Sequence, residues 1–311
     1  MISRFFGKTQ PIQYVVLLVF LFAFHWLYAV RIVGEQLTPN AILGQLLLFA
    51  LVAISILFAD MMVKKHKITG QHSFFMLFWV LLIILFPNTV AEAKAMVSNF
   101  FVLLAVHRLL EVKSLKNLKH KIFDAMLWVC FASLFCPWTL LFFGLVFFSI
   151  NTYAPKSTKT WLSALAGIAT FLMLTLAVLF WYGKSQFFVE HYDFVAQFKQ
   201  GMPSSVTDLN SKIIVFAALV VIMAIIDFVK FRKKGGGRII VFRFMLLYFF
   251  LALLVNALAQ TSPFYILFSF MPASVFIANY IETIKRAQLK EAVLALFILA
   301  PLALLLEQQM G

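Results

Sequence analysis

The chain has 311 residues, 63% of them hydrophobic and 12% charged, whereas a soluble domain is roughly half apolar and a quarter charged. Thirty-eight Phe beside only 12 Gly and 9 Pro also exclude collagenous, low-complexity and disordered chains, because nearly every stretch can bury apolar surface. The net charge of +14 does not point to nucleic acid, since the basic residues fall mainly between apolar runs, the pattern of the positive-inside rule. These features define an all-α, polytopic transmembrane helix bundle, read as one integral-membrane domain over residues 1–311.

The first apolar run, Ile12 to Val33, follows Arg4 and Lys8 and is 22 residues long. That length spans a bilayer, and no small-residue cleavage site ends it, so it reads as an uncleaved first helix with its N-terminus in the cytoplasm. Further segments follow at Ala41 to Val63, Ser73 to Phe86, Met96 to Leu110, Ile122 to Cys136 and Trp138 to Ile150. The remainder are Trp161 to Tyr182, Lys212 to Phe228, Ile239 to Gln260, Phe264 to Ile281 and Ala292 to Leu306, making eleven. Charge decides whether residues 122–150 form one kinked segment or two meeting at Pro137. With two, 21 of the 26 Lys and Arg fall on the cytoplasmic side, leaving Arg31, Lys94, Lys184, Lys199 and Lys212 outside. The C-terminus is then periplasmic.

Ser73 to Phe86, Ile122 to Cys136 and Trp138 to Ile150 reach only about 20 Å, short of a hydrocarbon core of about 30 Å. Such short central helices sit within the bundle, thin the membrane locally or line a recess, expected on the outer face around Pro87-Asn88 and Pro137-Trp138. The outer loop 183–211 predicts an interfacial amphipathic helix, with Glu190, Asp193 and Gln197 on one face and Phe187, Phe188, Val195 and Phe198 forming a broad apolar side. The cytoplasmic linker 110–121 is basic. Lys113, Lys116 and Lys119 recur every third residue, and with Lys121 they suit the anionic lipids of the inner leaflet. Gly235-Gly236-Gly237 reads as a cytoplasmic turn, and Ser163 with Gly167, four apart, as a helix-packing face.

Candidate chemistry is sparse. Cys130 and Cys136 are six apart in one apolar segment and cannot bridge locally, so both read as small hydrophobes. The six histidines, His25, His66, His72, His107, His120 and His191, contain no HxxxH or HExxH pair, and no metal site or cofactor is expected. Asp60, Asp124 and Asp227 lie near cytoplasmic helix ends within reach of lysines, where interfacial pairing explains them. Arg243, a turn inside its segment, is expected to form a structural ion pair with Asp227. The outward-facing acids Glu35, Glu190 and Asp193 are the candidate catalytic bases, since a carboxylate in an outer loop can deprotonate an acceptor hydroxyl.

Two stretches carry a resemblance: Phe5-Phe6-Gly7-Lys8-Thr9-Gln10-Pro11-Ile12, and HRLLEVKSLKNLKHKIFDAMLWVCFASLF from His107 to Phe135. They resemble a family of uncharacterised multi-pass inner-membrane proteins of the Bacteroidota, a domain of unknown function covering the full chain. The resemblance implies a bacterial inner-membrane protein and supplies no activity or site residue. Members sometimes carry a label as carotenoid-cleaving oxygenases, which the scattered histidines argue against, because such chemistry needs several imidazoles converging on iron.

Three functions compete. The first is a non-catalytic membrane component of an envelope-biogenesis or export assembly, with membrane lipids and another membrane protein as partners. The second is a membrane-embedded, glycosyltransferase-like enzyme acting on a polyprenyl-phosphate-linked substrate at an outward recess, with Glu35, Glu190 or Asp193 as base. The third is a transporter, which needs broken helices around a midplane site.

Overall fold

Prolines and polar turns cut the apolar sequence into helices, and no strand occurs among the described residues. The computed structural model describes residues 2–32, 38–184, 186–201, 211–232, 238–259 and 263–310. In chain order the helices are α1 (Ile2–Phe6), α2 (Pro11–Leu27, continued as a π-helix over Tyr28–Ile32), α3 (Pro39–Lys65), α4 (Phe74–Leu85) and α5 (Ala93–Glu111). Next come α6 (Leu118–Ser133), α7 (Phe143–Tyr153), α8 (Thr158–Trp181), α9 (Phe187–His191) and α10 (Phe194–Gly201). The last are α11 (Ser211–Arg232), α12 (Arg238–Leu258), α13 (Phe270–Thr283) and α14 (Ala287–Met310). Short 3-10 turns occupy Pro87–Val90, Val112–Ser114, Pro137–Phe142 and Pro263–Ser269.

Among the described residues, seven helices are long and apolar enough to cross a membrane: Pro11–Val30, Pro39–Lys65, Ala93–Ser114, Thr158–Trp181, Ser211–Lys230, Arg238–Leu258 and Phe264–Thr283. Phe74–Leu85 and Pro137–Tyr153 are shorter apolar helices. Of the eleven expected segments, seven are therefore candidate spans among the described residues. Two of the others are too short, and Ile122 to Cys136 falls largely on α6, with 16 residues. The last, Ala292 to Leu306, lies in α14, whose side chains beyond Pro301 are outside the described residues.

Proline explains the two central breaks. A residue before proline is disfavoured in the helical region, and Phe86 leaves it at φ −123°, ψ 67°, ending α4 at Pro87. Cys136 is likewise extended at φ −140°, ψ 104°, so α6 and α7 are two helices joined through the Pro137–Phe142 turn.

The chain divides into two compact units, each assembled from separated stretches. The first unit contains Met1–Met96, Asn210–Phe242 and Ser269–Gly311. Its core is the pair α4 and α13: α4 packs on α13, α14, α2 and α3, while α13 packs on α4, α11 and α14. Every side chain from Phe74 to Ile84 is buried. Inside a bilayer, burial against lipid gains nothing over burial against protein, so what holds this pair is close packing and aromatic contact. Phe86 sets its ring against Phe216 at 5.4 Å and Phe270 at 6.0 Å, and Phe78 meets Phe297 at 5.4 Å.

The N-terminal stretch is fastened to this unit by polar contacts. Gln13, fully buried in the first turn of α2, donates to the Phe5 carbonyl and accepts from the Ser73 hydroxyl. The Ser73 amide donates to Phe6 O at 3.0 Å, and Glu291 on α14 accepts from the Ile2 and Ser3 amides at 3.0 and 3.1 Å. Gly7 is required here, because an added Cβ would lie 2.5 Å from Ser3 O.

The second unit contains Val97–Leu209 and Arg243–Phe268, with α6 against α8 as its main helix pair. Their contact is close because Gly167 has no side chain: a Cβ there would lie 2.9 Å from Phe123 O and 3.1 Å from Met126 Cβ. One turn earlier, the Ser163 hydroxyl donates to Lys119 O. The small-residue packing face is thus observed. Phe101, Trp128, Phe131 and Phe135 stack in one cluster, with Phe101 5.7 Å from Trp128 and 6.0 Å from Phe135. Phe142 packs edge-on to fully buried Tyr248 at 5.5 Å.

Candidate functional site

The outer-loop acids do not assemble. Glu35 lies outside the described residues, as does the Gly235-Gly236-Gly237 turn. Glu190 is exposed on α9. Asp193 follows the break between α9 and α10, and its carboxylate accepts from the Ala196 amide at 2.9 Å, holding the first turn of α10. The single amphipathic helix expected over this loop is therefore two short helices. The break removes the shared face of Glu190 and Asp193. What fixes the loop is polar docking on the end of α6: His191 Nε2 lies 2.8 Å from Ser133 O, and the Tyr192 hydroxyl bonds Ser133 Oγ at 2.8 Å. Trp138 meets Phe194 at 5.1 Å. Burial pushes the Tyr192 phenol above its ordinary value, partly offset by its bond to Ser133. Ser133 is fully buried, so this Ser, His and Tyr group is a clamp and not a nucleophile with its base.

The basic linker turns sharply. Leu115 and Asn117 adopt left-handed backbone at φ 55° and 51°, which breaks any continuous helix through Lys113, Lys116 and Lys119. Lys113 and Lys116 are exposed in the turn, and Lys119 is exposed in the first turn of α6. Lys121 instead reaches back, donating to Glu111 O at 2.8 Å and Ser114 Oγ at 2.7 Å, where a cation complements the C-terminal end of α5.

The aspartates near helix ends have three different environments. Asp60, buried on α3, accepts from Tyr14 at 2.7 Å and pairs with Lys64 at 2.8 Å, while Lys64 also bonds the Tyr14 hydroxyl. Asp124 pairs with Arg108 Nε at 3.1 Å, not with a lysine. Asp227 is fully buried on α11, and among the described residues neither carboxylate oxygen has a hydrogen-bond partner. Arg243, expected in sequence as its ion-pair partner, is exposed. A turn away, Lys230 donates to Thr283 Oγ1 at 2.7 Å. Beside Thr283, Glu282 lies 3.5 Å from His72 Nε2 and accepts from the Gly70 amide at 3.2 Å. Among the described residues, no three or more His, Cys, Asp and Glu side chains converge as a metal would need. Both cysteines are buried and free.

An apolar cleft of about 540 Å³ lies in the first unit, walled by α4, α11, α13 and α14. Phe78, Phe216, Leu219, Ile277 and Phe297 form much of its lining. Its polar groups come at the ends. Ser211 and Lys212 lie where α11 begins. Tyr280 lies near the end of α13, where Lys230 of α11 bonds Thr283, and so marks the opposite end of the cleft. Three stretches far apart in sequence, with α13 and α14 adjacent, build these walls, which is why the pattern of any one helix does not reveal it. Lys212 carried a trace of it, as a charge at the edge of an apolar run.

An all-helical chain with seven candidate membrane-spanning helices defines a membrane protein in class. Its family is shown directly. The chain belongs to the Family of unknown function (DUF6427), which matches residues 5–309. No curated protein and no solved structure matches the chain.

Proposed function

We propose that the chain is a non-catalytic component of the bacterial inner membrane, serving an envelope-biogenesis or export assembly by binding a lipid or another membrane protein. The observation that carries this reading is the cleft: about 540 Å³ of ligand-sized space with apolar walls, whose lining includes no carboxylate among the described residues. Binding sites for hydrocarbon need such walls, whereas a transferase site needs a carboxylate beside its acceptor. Asp193 is engaged in holding α10, and Glu190 projects from a different short helix, so neither supplies that arrangement. The distribution of Lys and Arg supports an eleven-segment threading with a cytoplasmic N-terminus and a periplasmic C-terminus, and exposed Lys113, Lys116 and Lys119 suit inner-leaflet lipid.

Native mass spectrometry of the full chain, gently extracted from its own membranes, tests this reading. A stoichiometric lipid or membrane-protein companion is the expected result. A chain that retains neither, and whose cellular role is abolished by Glu190→Gln or Asp193→Asn while insertion is normal, would overturn it in favour of catalysis.

A further inference from the structure

The shape of the cleft narrows its occupant. From Lys212 to Met223, both of which line it, α11 rises about 16 Å. That is the depth of one leaflet, half of a hydrocarbon core of about 30 Å. Its apolar walls and leaflet-deep length suit an extended hydrocarbon chain. Lys212, in the first turn of the candidate span Ser211–Lys230, lines one end of the cleft together with Ser211. Both donate hydrogen bonds to an oxyanion, and the ammonium repels a cationic head.

We propose that the cleft binds one hydrocarbon chain of an anionic, phosphate-headed lipid, with the phosphate at Lys212. This rests on the lipid-binding reading above and names its ligand class. The charge complementarity at one end and the leaflet-deep apolar trough below it match the two halves of such a lipid in the order a bilayer presents them. Because a single lysine near a membrane surface contributes about the equivalent of a fivefold preference, selectivity over a zwitterionic lipid of equal chain length should be of that size.

The test uses the delipidated full chain in detergent, titrated separately with phosphatidylglycerol and phosphatidylcholine of matched chains and read by native mass spectrometry. One phosphatidylglycerol should be retained per chain, about fivefold more tightly than phosphatidylcholine. Dodecyl phosphate should displace it from the unsubstituted chain better than dodecanol. Lys212→Gln should remove the preference and Lys212→Arg keep it, while Ala300→Trp, which fills the cleft, should abolish retention of both lipids. Equal retention of the two lipids by the unsubstituted chain, or an unchanged preference in Lys212→Gln, would overturn the headgroup assignment. If Ala300→Trp still expelled lipid in that case, the broader reading of an apolar binding cleft would stand. Undiminished lipid retention by a folded Ala300→Trp chain would remove both. A protein companion released by Ala300→Trp would overturn the lipid in favour of a polypeptide occupant.

Discussion

Helices α4 and α8 are both strongly apolar and yet have opposite surroundings. α4 has 12 residues, and only Leu85 escapes full burial. α8 has 24, packs mainly on α6, and exposes Leu162, Leu165, Met173 and Phe180, the last at 88%. Hydrophobicity therefore does not say which helix is inside. Length does. At about 1.5 Å per residue, α8 reaches about 36 Å and can face lipid along a whole bilayer, while α4 reaches about 18 Å and would leave its backbone ends in hydrocarbon unless protein surrounded them.

The contrast is broken most directly by truncating a ring in each helix. Phe75→Ala on α4 should cost about 3–5 kcal/mol in a reversible unfolding assay, because the cavity is lined by protein that cannot collapse. Phe180→Ala on α8 should stay within about 0.5 kcal/mol. Similar losses at both positions would end the distinction.

A second measurement asks whether polar contacts add to the packing of the first unit. Asp60→Ala should cost about 3 kcal/mol, since it strands the Lys64 ammonium and the Tyr14 hydroxyl in a largely buried place. The double variant Asp60→Ala with Lys64→Met should recover part of that loss.

For α8, the comparison sharpens on its one packed face. Gly167→Leu should cost about 1–3 kcal/mol by driving a side chain into Phe123 O and Met126. The same change at an exposed α8 position, Ala177→Leu, should leave the midpoint unchanged. The smallest effect is expected in the outer loop. Asp193→Ala should lose about 1 kcal/mol of local stability, seen as faster amide exchange confined to the start of α10, with cellular function kept. Loss of function without faster exchange would restore Asp193 as a catalytic candidate.

Much of the fold was legible because its signals are local. Run lengths placed the long helices, and Pro87 and Pro137 ended the short ones where the pre-proline residues Phe86 and Cys136 leave the helical region. Ser163 and Gly167 announced the α6 to α8 contact through small size at helical spacing. The acid spacing of the outer loop assumed an unbroken helix, and the break at Tyr192 to Asp193 interrupts it.

The candidate site was almost illegible. Phe216 and Leu219 on α11, Phe78 on α4 and Ile277 on α13 read in sequence as ordinary apolar positions, identical to those that face lipid. Composition and run length by themselves determined that this chain is a helical membrane protein, because an apolar helix longer than a bilayer is thick has few other stable surroundings. Only the tertiary structure decided which apolar residues pack against one another and which four helix faces stand apart to form a cleft. The physical reason is that dispersion contacts carry no sequence signature of their partner: they depend on how close two surfaces come, and that is fixed by the whole fold.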